Sequence, residues 1–305
     1  MPPVIEVHDL HKEYKRWRKP PERAVDGLDL TVEQGGVHGF LGPNGSGKTT
    51  TIRMLLGLVA ADAGDMKVLG TSVPDHLPIV IGDVGALVET PLFFPTFTGR
   101  RNLDLLATTA RVPAQRVDEV LDLVGLRDRQ ADRVKGYSLG MKQRLGIAAA
   151  LLKRPRLLIL DEPSNGLDPA GIVEMRELVA RLGADGRTTV FLSSHLLGEV
   201  QQVCDRVTIL AHGKVVADGA VSEVLAARAT GDVRLVVADP SAARVLLERA
   251  GFTVASMGDA WCVQHVDDAA QLTKLLADAG HYVSELTPLA ADLETVFLDL
   301  TRDPS

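Results

Sequence analysis

One run of eight residues carries the clearest chemistry in this chain. Gly42-Pro43-Asn44-Gly45-Ser46-Gly47-Lys48-Thr49 has the spacing G-x-x-x-x-G-K-[ST]. Glycines at these steps let successive N–H groups turn inward onto phosphate oxygens. The helix that follows adds its positive end, Lys48 reaches the outer phosphates, and the Thr49 hydroxyl can ligate Mg2+, with Thr50 beside it in the first turn.

Two acids supply what a phosphate cradle lacks. The apolar run Leu157-Leu158-Ile159-Leu160 ends in Asp161-Glu162. Asp161 is placed to hold Mg2+ through its water shell. Glu162, one step further, projects toward a water in line with a γ-phosphate, where hydrolysis needs a general base. A third run, Tyr137-Ser138-Leu139-Gly140-Met141, puts a serine at a helix N-cap with Gly140 in the first turn. Such an end either caps a helix and no more, or binds an anion through its free N–H groups.

The elements that must position these groups follow from hydropathy periods. Val4–Leu10 and Leu28–Val32 alternate as half-buried strands, and Val37–Leu41 is a short apolar strand before the glycine loop and a helix over Thr49–Val59. From Pro91 to Pro155 the period becomes helical, with segments Arg101–Ala110, Ala114–Val124 and one opened by Ser138. Strand and helix then alternate again: Leu157–Leu160, Ala170–Leu182, Thr188–Leu192, Leu196–Cys204. Val207–Leu210 and Val215–Ala217 close as a hairpin at His212-Gly213. This is an α/β core with an inserted helical subdomain over about residues 90–155. The tail reads strand, helix, strand (233–256) and strand, helix, strand (261–286), a ferredoxin-like α+β order, with a last helix at Leu293–Leu300. The expected domains are 1–222 and 230–305.

Taken in order, Gly42–Thr49, Tyr137–Met141, Leu157–Glu162, Gly166-Leu167-Asp168 and Ser193-Ser194-His195 resemble the Walker A, signature, Walker B, D-loop and switch histidine of an ABC-type ATPase. The resemblance covers about residues 4–220. Within that superfamily, Gly85-Ala86-Leu87-Val88-Glu89-Thr90-Pro91, Thr98-Gly99-Arg100-Arg101-Asn102-Leu103 and Asp292-Leu293-Glu294-Thr295-Val296-Phe297-Leu298 look like the drug and antibiotic efflux branch, including its daunorubicin-resistance and bacitracin-resistance types.

The resemblance implies a P-loop NTPase fold, ATP and Mg2+ as cofactors, and a head-to-tail pair of identical copies. The glycine loop of one and Ser138 of the other would enclose each ATP. It further implies that Tyr14 stacks on adenine, that Asp168 bridges the copies, and that His195 contacts the γ-phosphate and orients Glu162. Glu89 stands where the family has a glutamine that reports on Mg2+ and touches the membrane partner. The signature departs too, with Leu139 and Met141 in place of the usual glycine and glutamine. The implied activity is ATP hydrolysis for an exporter whose transmembrane subunit is a separate chain, with this subunit peripheral on the inner face of the membrane. Phe93, Phe94 and Phe97 would either meet that partner or pack under the helical subdomain. An importer subunit, or a soluble ATPase acting on ribosomes or nucleic acid, are the rival readings.

Composition bounds the rest. The 305 residues carry 33 basic and 40 acidic side chains, a net charge of −7. Residues 231–305 hold 12 acids and 5 bases, so the first 230 balance and the tail carries all the excess. That step marks a boundary near Thr230 and argues against a nucleic-acid partner, which needs a large basic face. The one basic cluster, Lys12, Lys15, Arg16, Arg18, Lys19 and Arg23, reads as a solvated loop between strands. No uncharged apolar run approaches the ~18 residues of a membrane span, and Met1–Glu6 has no leader character. Cys204 and Cys262 are expected as buried, reduced thiols in a cytoplasmic protein.

Overall fold

A computed structural model describes residues 2–15, 20–89, 92–227, 231–266, 268–289 and 292–301. The chain divides into two compact units, one running to Val221 and taking in Leu300, the other Ser222–Asp299. The division falls between Val221 and Ser222, where α8 (Val221–Ala226) begins and ahead of the charge step near 230.

In chain order the first unit contains β1 (Ile5–Tyr14), β2 (Glu22–Val32), β3 (Val37–Leu41), α1 (Lys48–Leu55), β4 (Ala63–Val68), β5 (Thr71–Val73), α2 (Leu77–Val80) and β6 (Val84–Leu87). There follow α3 (Gly99–Thr109), α4 (Gln115–Leu123), α5 (Leu139–Leu151), β7 (Leu157–Asp161), α6 (Pro169–Ala184), β8 (Thr189–Ser194), α7 (Leu197–Val203), β9 (Arg206–Ala211) and β10 (Lys214–Ala220). A six-stranded sheet of order β10-β9-β3-β8-β7-β6 is parallel except at the β9–β10 hairpin. His212 and Gly213 both take positive φ there (50° and 76°), as a tight hairpin turn requires. β3, β7 and β8 are buried along their whole length, which is why they read as continuous apolar runs. Phe40 and Phe191 meet between β3 and β8 with centroids 5.1 Å apart.

An antiparallel sheet, β2-β1-β4-β5, packs its apolar face into the same core. β1 and β2 run several residues past their alternating stretches, so Lys12 and Arg23 are strand residues, not loop residues. Asp62 draws Lys12 in with a 2.8 Å ion pair. Arg16, Arg18 and Lys19 lie outside the described residues, as do Thr90, Pro91 and Thr230. β4, β5 and β6 were not anticipated: all three are short, β4 and β6 carry a glycine, and only pairing of β4 with β1, β5 with β4 and β6 with β7 makes them strands.

The inserted helices are α3, α4 and α5, between β6 and β7. Thr98 caps α3 through the Arg101 N–H, and Ser138 caps α5 through the Met141 N–H at 3.2 Å. Phe94 and Phe97 are exposed and stack on each other, whereas Phe93 is half-buried.

The second unit contains β11 (Val233–Val237), α9 (Pro240–Arg249), β12 (Thr253–Met257), β13 (Ala260–Gln264), α10 (Ala269–Asp278), β14 (Val283–Pro288) and α11 (Leu293–Thr301) as far as Asp299. Its sheet order β12-β13-β11-β14, antiparallel throughout, is that of a split βαβ fold. Leu235, Leu247, Leu272 and Leu276 fill its own core. Both cysteines are free; Cys204 is buried, but Cys262 is only half-buried on strand β13.

Candidate functional site

The glycine loop joins β3 to α1, and its glycines are there for space as well as turning. At Gly47 (φ 107°) a Cβ would come within 2.3 Å of the Ala24 carbonyl oxygen, and at Gly42 within 2.6 Å of that of Leu210. No side chain caps α1 at Gly47, so its first N–H groups stay open. Lys48 is 5% exposed and folded back over the loop. Its Nζ donates to the carbonyls of Gly42 (2.7 Å) and Pro43 (3.3 Å) and lies 3.4 Å from Glu162 Oε1. The Ser46 hydroxyl is buried among the described residues without a hydrogen-bond partner. An orphaned buried hydroxyl is costly, and with an uncapped helix end and a buried ammonium it suits phosphate oxygens.

A cavity of about 400 Å³ opens over this loop. Asn44, Gly45, Ser46, Gly47, Lys48, Thr49 and Thr50 form its floor; Tyr14, Glu22, Ala24, Glu162 and Asn165 form its walls. Gly42 and Pro43 contribute beneath, through the carbonyls that hold Lys48. Tyr14, at the end of β1, is 36% exposed, and the Lys12 ammonium lies 5.6 Å from its ring centroid.

The acids arrive on β7 and are organised from β8. Asp161 is buried, and its Oδ1 accepts the Ser193 hydroxyl proton at 2.5 Å. The same Ser193 oxygen accepts the Glu162 N–H at 3.0 Å. Glu162 takes φ 49°, an uncommon conformation for a residue with a side chain. His195, just past β8, places Nδ1 2.6 Å from Glu162 Oε2. A carboxylate only accepts, so Nδ1 is the protonated nitrogen of that contact.

The remaining expected residues lie apart from the cavity. Ser138 is exposed and Gly140 half-exposed; a Cβ at Gly140 would sit 3.7 Å from Leu167, and one at Gly166 would sit 3.2 Å from Leu139. The signature turn thus packs beside the D-loop of its own chain. Asp168 caps α6, accepting the Gly171 N–H at 2.8 Å. Glu89, expected at the metal, pairs instead with Arg53 and lines a second cavity of about 760 Å³ together with Leu92, Phe93, Leu106 and Lys153. Asn165 and Glu22 in the cavity wall, and Ser193 as a link between the acids, were not singled out from sequence. Asn165 sits in the turn Glu162-Pro163-Ser164-Asn165-Gly166, whose composition signals a turn but not what it faces.

An ABC transporter family model matches residues 25–165. BcrA, the bacitracin transport ATP-binding protein of Bacillus licheniformis, is 38% identical over 305 residues, 98% of each chain. The protein belongs to the ABC transporter family. DrrA3, a daunorubicin resistance ATP-binding protein of Streptomyces coeruleorubidus, is 36% identical over 292 residues, 92% of each chain. Among solved structures, the dimeric ATP-binding cassette MJ0796 bound to ADP and Pi aligns with TM-score 0.63 at 23% identity, over 71% of this chain and 98% of that one, a likeness of fold. As an ABC ATP-binding subunit, the chain hydrolyses ATP, and the match to BcrA extends through the second unit as well.

Proposed function

We propose that this subunit powers a drug or antibiotic exporter. Two copies would close head to tail around ATP, and a separately encoded membrane subunit would carry the cargo. The observation behind the chemistry is the Glu162 carboxylate, held from one side by Lys48 (3.4 Å) and from the other by His195 (2.6 Å) at the rim of the phosphate cavity. The branch assignment rests on BcrA and DrrA3, whose names specify bacitracin transport and daunorubicin resistance and which match nearly end to end.

In this reading Tyr14 stacks on adenine, a contact worth ~1–3 kcal/mol. Lys48 exchanges the Gly42 and Pro43 carbonyls for the outer phosphates, and the Ser46 hydroxyl and α1 N–H groups gain anionic acceptors. Glu162 takes a proton from the attacking water while His195 keeps its carboxylate in place. Thr49 and Asp161 are the residues that would hold Mg2+, Asp161 through water, with Glu89 as a more distant candidate. The ion, when bound, offsets phosphate charge. Ser138 and Gly140 at the N-terminus of α5 would complete the site of the second copy, and Asp168 would bridge the two.

ATP-driven closure would be passed to the membrane subunit through the segment from Glu89 to Asn102, where Leu92 (97% exposed) and Phe94 (61%) present apolar surface. None of the described helices is long and apolar enough to cross a membrane, so an inner-face location would come from that partner.

Purified Glu162→Gln tests the cycle. It is expected to bind ATP and to elute as a dimer in Mg-ATP, while the parent returns to monomer as ATP is consumed. A variant that stays monomeric at saturating Mg-ATP would remove the closure model. Co-expression with its membrane subunit should lower cellular drug accumulation, and Glu162→Gln should abolish that effect.

A further inference from the structure

Ser193 touches both acids, and neither touch is needed to build the sheet. It lies on β8, fully buried, directly opposite Asp161 in the β7–β8 register. Its hydroxyl donates to Asp161 Oδ1 (2.5 Å) and accepts from the Glu162 N–H (3.0 Å). A serine hydroxyl has one proton to give, so the direction of both bonds is fixed: the carboxylate takes the proton and the amide supplies one. The Glu162 N–H also has a backbone acceptor, Ser193 O at 3.2 Å. Removing the hydroxyl therefore leaves no orphaned amide and no broken ladder. What it removes is the tie between two carboxylate-bearing residues.

We infer that the Ser193 hydroxyl is a positioning group that holds the Asp161 carboxylate and the Glu162 backbone in one fixed relation. The inference rests on the roles assigned above to Asp161 and Glu162. Among the described residues, Asp161 has no other side-chain hydrogen bond, so Oδ1 is committed to Ser193 and Oδ2 would be the oxygen available toward a metal's water shell. Glu162 sits at φ 49°, a left-handed conformation that is unfavourable for a residue with a side chain and persists only where surroundings hold it. The two acceptors on its N–H are that hold. The adjacent Ser194 does a different job: its hydroxyl accepts the Leu196 N–H at 3.0 Å, setting the exit of the chain through His195 into α7. Ser193 acts inward on the acids, and Ser194 acts outward on the histidine turn.

The test uses the full chain with Ser193→Ala, Ser193→Thr and Ser193→Cys. Three quantities are measured: affinity for a fluorescent ATP analogue in EDTA, the Mg2+ concentration that half-restores tight binding, and kcat with KM. Ser193→Ala is expected to bind metal-free nucleotide as the parent does, to need about tenfold more Mg2+, and to lose about 10–100-fold in kcat. KM should move less than threefold or so, because the phosphate cradle is untouched. Ser193→Thr, which keeps the hydroxyl, should recover most of both losses. Ser193→Cys, close in shape but a weak donor, should fall between, and it carries the test if the alanine variant does not fold.

Parental Mg2+ midpoint and kcat in Ser193→Ala overturn the inference, as does equal loss in Ala and Thr together with weaker metal-free binding, the pattern of a packing residue. Failure of the underlying roles looks different: Asp161→Asn or Glu162→Gln would then turn over ATP at the parental rate whatever Ser193 does.

Discussion

His195 Nδ1 lies 2.6 Å from Glu162 Oε2, and it reaches that oxygen from the strand next to the one that carries the acid. Lys48 holds the opposite oxygen of the same carboxylate at 3.4 Å. A general base at the end of a side chain with three rotatable bonds needs such restraint. His195→Ala is expected to lower kcat by about two orders of magnitude while leaving the equilibrium dissociation constant for ATP within about threefold of the parent. Steady-state phosphate release beside binding by a fluorescent analogue decides it. A large loss of affinity with intact kcat would instead make His195 a binding residue.

Lys48 is buried and bonded to two loop carbonyls, so its ammonium is already desolvated where phosphates are expected to lie. Lys48→Ala should weaken ATP binding by about 100-fold or more, since a charge-assisted contact in a buried setting is lost. Lys48→Arg should not rescue it: a planar guanidinium cannot replace a compact ammonium in a space that glycines alone allow. Isothermal titration with ATP reads both.

Tyr14 stands at the cavity wall with Lys12 near its ring, and Asp62 pins Lys12 at 2.8 Å while its other oxygen accepts the Glu13 N–H at 2.7 Å. Loss of one base–aromatic stack, Tyr14→Ala, should raise the ATP dissociation constant by about 5–150-fold, the equivalent of ~1–3 kcal/mol. Tyr14→Trp should restore it. Equal binding of ATP and inorganic triphosphate by the parent would show that no base contact exists.

Much of this site could be read in the chain because a phosphate cradle is local: Gly42 to Thr49 specify their own turn, and Leu157–Asp161 announces a buried parallel strand by its unbroken apolar run. The ferredoxin-like tail was legible from period alone, since β11 buries every second residue and α9 and α10 each bury one apolar face. What stayed hidden depends on pairing between distant segments. β6 is four residues with a glycine, and it becomes a strand only against β7. Glu89 was placed by resemblance near the metal, but its partner Arg53 lies 36 residues away on α1, and no local pattern announces that pair. Ser193 was visible as part of a Ser-Ser-His run; that its hydroxyl spans two acids follows from the β7–β8 register, which sequence does not state.

The Glu89–Arg53 pair sharpens the metal question. Both side chains are substantially exposed (65% and 35%), so the pair contributes at most about 1 kcal/mol. If Mg2+ depends on Asp161 and Thr49, Glu89→Gln should shift the Mg2+ midpoint for ATP binding by less than about threefold, whereas Asp161→Asn should shift it by tenfold or more. A larger effect of Glu89→Gln than of Asp161→Asn would restore Glu89 as a principal metal contact.

His38 gives the fold a defined acid limit. It lies on β3, 3% exposed, with Nε2 2.8 Å from the Thr208 hydroxyl, which in turn donates to Asp218 at 2.5 Å. Since Thr208 gives its proton to the carboxylate, His38 donates to it through Nε2–H. Burial lowers its pKa from 6.5 to about 4; Asp218 opposes that shift and Arg206 adds to it. Between those two values the unfolded chain binds a proton that the folded chain refuses. Stability from this group is therefore complete above pH 6.5 and falls as pH drops toward 4, by about 2 kcal/mol between pH 7 and 5. Melting the protein at both pH values should show a fall several degrees larger for the parent than for His38→Gln, which keeps a donor near Nε2 but cannot titrate. Equal falls in the two proteins would mean that His38 takes up its proton in the fold as readily as in the unfolded chain.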